Sequence, residues 1–172
     1  ACDLKRGKAC NSLGVALSEG LGVDKDPTRA VAVFTKGCDL GDGLACSNAA
    51  IGYRLGKGVA VDEVRALSYA DKGCTGGSPA ACFELGIRVS DSDKIPKDLT
   101  RAAAAFDRAC EDDHSQACFR LALMYEDPQA GPAQDLSLAA VVYQRSCDLG
   151  NSRACSNLGV LFEDGLGLRK DA

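Results

Sequence analysis

Cys38-Asp39-Leu40-Gly41-Asp42-Gly43-Leu44-Ala45-Cys46 brackets a short turn between two cysteines, and the chain repeats the bracket five times. The cysteines fall at 2 and 10, 38 and 46, 74 and 82, 110 and 118, and 147 and 155. Every pair is eight apart, and successive pairs begin 36, 36, 36 and 37 residues on. A fixed period of that length is the mark of a solenoid of stacked two-helix units. All 172 residues fit one all-α array, with units at 9–44, 45–80, 81–116 and 117–153 and partial units at 1–8 and 154–172.

Ten cysteines are either small buried hydrophobes when reduced or staples when oxidised. Their even number and fixed spacing favour disulfides, expected as Cys2–Cys10, Cys38–Cys46, Cys74–Cys82, Cys110–Cys118 and Cys147–Cys155. Zinc is the competing reading, but structural zinc sites space their ligands more tightly than seven intervening residues. No metal and no cofactor is expected. Disulfides place the protein in an oxidising compartment, periplasmic or extracellular. The chain starts at Ala1 and reads as a processed or excised piece, with further repeats expected on either side. Net charge is −4, which disfavours nucleic acid as a partner. No apolar run is long enough for a membrane span, and a monomer is expected.

Each unit opens with a helix running, in the first unit, from Ala9 to about Glu19. Leu13 and Leu17 share one face. Gly14, Ala50, Gly86, Ala122 and Gly159 hold one column small, which predicts a close approach there. The helix ends in Gly20-Leu21-Gly22-Val23, repeated as Gly56-Lys57-Gly58-Val59 and Gly165-Leu166-Gly167-Leu168. Ser92-Asp93-Lys94-Ile95-Pro96 and Pro128-Gln129-Ala130-Gly131-Pro132 replace that turn in the third and fourth units. The second helix starts at an N-capping Asp, namely Asp26, Asp62, Asp98 or Asp135. It carries a buried stripe such as Ala30, Val31 and Phe34, and it ends with Lys36, Lys72, Arg108 or Arg145, whose charge suits a helix C-terminus.

Ala-Cys-x-x-Leu-Gly, Gly-x-Gly-Val, Asp-x-x-x-Ala and Lys-Gly-Cys-Asp-Leu-Gly, read together, resemble the Sel1-like repeat family. The cysteines eight apart are similar to its cysteine-rich branch, the secreted Helicobacter cysteine-rich proteins. The resemblance implies a right-handed α/α superhelix like tetratricopeptide arrays, and an adaptor that holds proteins or peptides on its concave face. It also brings the alternative of a weak β-lactam-binding or β-lactam-hydrolysing enzyme. The residues give that alternative no support. Ser-x-x-Lys and Lys-Thr-Gly are both absent. The single His114 lies in the polar turn Asp112-Asp113-His114-Ser115 and reads as an exposed loop residue. No catalytic residue is expected.

A binding face is the better candidate. Three positions along the first helix, four and three apart, form a ladder when units are stacked. One column is Ser12, Asn48, Glu84, Arg120 and Asn157. The next is Ala16, Gly52, Arg88, Met124 and Leu161, and the third is Glu19, Leu55, Asp91, Asp127 and Asp164. The adjoining Val15, Ile51, Ile87, Leu123 and Val160 are repetitive and are assigned to packing. The candidate binding residues are Ser12, Asn48, Glu84, Arg88, Arg120, Met124 and Asn157. Asn48 and Asn157 suit a peptide backbone, and Arg88 with Arg120 suits a carboxylate. A plain spacer between other domains is the remaining reading.

Overall fold

Asp26, Asp62, Asp98 and Asp135 decide where every second helix begins. Each carboxylate accepts the N–H of the residue three on, at 2.9 Å. In the first unit Pro27 follows the cap, where its missing N–H removes nothing. The computed structural model describes Cys2, residues 6–127, Gln129 and residues 131–166. Among them are nine helices and no strand: α1 (Gly7–Glu19), α2 (Pro27–Asp39), α3 (Gly43–Leu55), α4 (Glu63–Thr75), α5 (Pro79–Asp91), α6 (Leu99–Glu111), α7 (Ser115–Glu126), α8 (Leu136–Asp148) and α9 (Ser152–Glu163). The fold is an all-α repeat solenoid in class.

The first helices start two residues earlier than the sequence suggested: α1 at Gly7, behind Arg6 with no side-chain cap, and the other four behind a capping residue. Asp42, Ser78, His114 and Asn151 accept the N–H of Ala45, Ala81, Ala117 and Ala154. The reversal from α2 to α3 is therefore only residues 40–42, and the second cysteine of each pair lies inside the next helix. His114 is half-buried and caps α7 through Nδ1, 3.3 Å from the Ala117 nitrogen, so it is not the exposed loop residue that its polar neighbours implied.

All five expected cysteine pairs are joined, with Cα separations between 4.3 and 4.8 Å. α1 and α3 end in left-handed Gly20 and Gly56, as expected of the Gly-x-Gly turn. α5 and α7 end instead at Ser92 and Asp127 in extended backbone. Pro128, Ala130, Gly167, Leu168 and the chain's last residues lie outside the described set.

The helices form two compact units, Ala1–Lys97 and Asp98–Ala172. In the first, α1 pairs with α2 and α3 with α4, while α1 also packs on α3 and α3 on α5; α2 and α4 barely touch. The first helices are thus the closely stacked side of this unit. Its core joins Leu17, Ala30, Phe34 and Ala49, with Leu13, Val33 and Tyr69 against them. The small column is explained at Gly14, where a Cβ would stand 2.4 Å from the Phe34 ring. It is an aromatic ring, not a second backbone, that demands the glycine. In the second unit α8 packs between α7 and α9. There Ala139, Ala140, Tyr143, Leu158 and Leu161 form the core with Ala122 and Ala154.

The basic residues before the cysteines do more than face a helix end. Lys72 reaches Asp39 at 2.7 Å, and Arg145 reaches the Glu111 carbonyl at 2.9 Å and Asp113 at 3.1 Å. Each ties a second helix to the turn of the preceding repeat. All are exposed pairs, so each contributes at most about 1 kcal/mol.

Candidate functional site

The ladder residues do not share one environment. Ser12 is exposed and donates to the Lys8 carbonyl at 3.1 Å. Asn48 is half-buried and donates to Asn11 Oδ1 at 2.8 Å. Glu84 and Arg88 are each only 7% exposed, and Met124 is 6% exposed. Arg120 and Asn157 are half-buried, the latter donating to the Tyr143 hydroxyl at 3.0 Å. The adjoining column assigned to packing is partly open: Val15 is 37% and Val160 55% exposed. The first helices are turned so that this column edges the surface, while the second ladder column points inward.

In the first unit two ion pairs cross the stack. Arg54 Nε of α3 stands 3.3 Å from Glu84 Oε2 of α5, and Arg88 Nη1 of α5 stands 3.0 Å from Glu63 Oε2 of α4. The Arg54–Glu84 contact is ionic, without hydrogen-bond alignment, and Arg88 Nε has no hydrogen-bond partner. Burial raises the Glu84 carboxyl above its ordinary range, against the pull of Arg54 and then Arg88. The carboxylate that Arg88 holds is thus the chain's own.

In the second unit the same function falls to a phenol. Tyr143 is fully buried, and its hydroxyl donates to Glu126 Oε2 of α7 at 2.5 Å and accepts from Asn157 of α9. Burial and then the Glu126 hydrogen bond drive its pKa up, which keeps it a neutral donor.

Between α1, α2 and α3 nothing fills the corresponding space. A cavity of about 190 Å³ opens there. Phe34, Val31 and Ile51 wall it, with Gly52 packed against Val31, and Ser18, Glu19, Asn48 and Lys57 supply polar edges. No group of metal-ligating side chains occurs among the described residues.

Residues 7–42, 43–78, 79–114, 115–151 and 152–172 each match the Sel1 repeat model. The chain belongs to the Sel1 repeat family. Among curated proteins none matches it. Among solved structures it is similar to c5321, a protective antigen of uropathogenic Escherichia coli with an SLR fold, at 26% identity and a TM-score of 0.85, covering 92% of this chain and 34% of that one. It is equally similar to a Sel1 repeat protein from Oxalobacter formigenes, at 26% identity and 0.85, covering 98% and 68%. Helicobacter pylori cysteine rich protein B shares the fold at 23% identity and 0.63, covering 78% and 96%. The chain spans about a third of the length of the first of these relatives.

Within the Sel1 register, the residues that reading by column missed are Ser18, Arg54 and Glu126, which share one position, and Glu63. Each works through a residue on another helix. The signal available was the alternation Ser18, Arg54, Ser90, Glu126 and Glu163 at a position beside the ladder.

Proposed function

We propose that this chain is an exported scaffold that holds a protein or peptide along the open face of its first helices. The observation that carries this reading is the cavity on that face, walled by three helices and edged by hydrogen-bonding groups. In Ala1–Lys97, Ser12 and Asn48 supply the polar contacts, with Glu84 and Arg88 buried beneath; in Asp98–Ala172 the residues in the same columns are Arg120 and Asn157, with Met124 buried. Export is supported by the five cysteine pairs, which persist only in an oxidising compartment. No helix of the described residues is long and apolar enough to cross a membrane.

The test is a displayed peptide library panned on the immobilised chain. Selected peptides are expected to bind the parent and to lose about tenfold or more with N48A/R120A/N157A, as hot-spot truncations do. The triple variant is checked for parental helix content. Equal binding by a folded variant overturns the reading.

A further inference from the structure

The cavity beside Phe34 has two internal counterparts, and they indicate what fits it. Arg88 stands in the register of Gly52, and Glu63 in that of Pro27. Arg54 answers to Ser18, and Glu84 to Asn48. So the space open between the first and second repeats is closed between the second and third by the Arg88–Glu63 and Arg54–Glu84 pairs. Between the fourth and fifth repeats the register residues are Leu161, Leu136, Glu126 and Asn157, with Tyr143 in the place of Phe34. There Leu161 is buried in the core and the Tyr143 hydroxyl bridges Glu126 and Asn157. The molecule plugs this site twice with its own side chains. At Gly52 and Phe34 it carries neither plug.

The two plugs differ in what they ask of the walls. The arginine plug draws on acids in the registers of Glu63 and Glu84, where this cavity has Pro27 and Asn48; the carboxylate that does line it, Glu19, accepts from Ser18. The second plug needs an apolar body, then an acceptor and an amide donor for one hydroxyl. Phe34, Val31 and Ile51 supply the first. Ser18, hydrogen-bonded to Glu19 at 3.2 Å, supplies the acceptor side. Asn48 spends one amide hydrogen on Asn11 and keeps a second. The size also agrees: a dry cavity of roughly 150 Å³ accepts a benzene ring, and this one measures about 190 Å³.

Resting on the peptide-holding reading above, we propose that this cavity takes the phenol of a partner's tyrosine, its hydroxyl set between Ser18 and Asn48. The ring lies in the cavity against Phe34, Val31 and Ile51, and the hydroxyl repeats the bridge that Tyr143 makes internally.

The experiment is an amide-resolved NMR titration of the whole chain with 4-methylphenol and with toluene. Shifts from 4-methylphenol are expected to gather around Ser18, Asn48 and Gly52, with affinity about tenfold above that of toluene, the worth of one satisfied hydroxyl. F34Y should weaken 4-methylphenol by about the same factor and leave toluene unchanged. V31A/G52L copies the Ala140 and Leu161 plug and should abolish binding of both; a Cβ at Gly52 would otherwise meet Val31 at 2.6 Å. Equal affinities for the two probes, scattered shifts, or an F34Y variant that binds 4-methylphenol as the parent does would each overturn the proposal. Panning the peptide library separates the two readings. Selected peptides without tyrosine that also bind F34Y and the plugged variant sink the phenol site and leave the groove. An empty selection beside a normal 4-methylphenol titration sinks the groove and leaves the phenol site.

Discussion

Asp113 has φ 60 in a column that it shares with Gly41, Gly77 and Gly150, whose φ are 84, 81 and 88. A side chain in left-handed backbone costs about 1–2 kcal/mol, and more if it is β-branched. Asp113 recovers part of this through Arg145. D113G should therefore melt above D113V by an amount equivalent to about 2 kcal/mol; equal melting temperatures would count against the left-handed turn. His114, next in the chain, is the only capping residue of its column that titrates near neutrality. Burial lowers its pKa from the ordinary 6.5, so folding favours the neutral ring, the form that caps Ala117. That contribution is complete above the unfolded value and is lost as pH falls through the lower folded one. Asp112 and Asp113 precede His114 on the turn, and Arg145 reaches that turn from α8. Relative to H114N, which copies Asn151, the parent should lose up to about 1 kcal/mol as pH falls from about 7.5 through the ordinary 6.5 and below. Parallel melting curves across that range would remove the cap from the account.

At the scale of helices, the ion pairs between α3, α4 and α5 have an apolar alternative inside the same chain. Leu136 and Leu161 occupy the register of Glu63 and Arg88. R88L alone leaves the half-buried Glu63 without its partner and should cost about 2 kcal/mol. E63L/R88L restores a matched pair and should return to parental stability or above. Denaturant melts of the three proteins decide it; a double variant no better than the single means the pair is not the cause. Phe34→Ala should cost about 3–5 kcal/mol, since Gly14 and its neighbours are shaped to the ring. Much of the helix architecture was legible before any coordinates, because the second helices all begin with the same residue type. α3, α5, α7 and α9 begin behind Asp42, Ser78, His114 or Asn151, four different caps, and α1 behind Arg6 with no side-chain cap, so no one residue type marks their starts. The face was harder still. Columns show which residues of one helix lie together, but Glu84 and Arg88 are set by Arg54 and Glu63 on other helices. Burial of a charged residue depends on a partner that no single column contains.

For the whole molecule, cohesion is divided between the disulfides and small cores rich in alanine. Each bridge closes a loop of the same length, so the chain-entropy account assigns each about 2.5 kcal/mol. Intact-mass measurement should find ten hydrogens fewer than in the reduced chain, two per bridge for the five bridges. Reductant should then lower the melting temperature by a wide margin, and C38A/C46A should cost about one bridge's share. An unchanged melt in reductant would mean that the helices hold without staples.

Every bridge also joins cysteines only eight residues apart. A chain crossing a translocon N-terminus first exposes both partners of one pair before the next pair emerges. In a chain so translocated, oxidation can keep pace with emergence, nearest neighbour by nearest neighbour. A repeat can be added to or lost from such an array by recombination without stranding a thiol elsewhere, so the length of the scaffold is free to evolve while its redox chemistry stays closed within each hairpin junction.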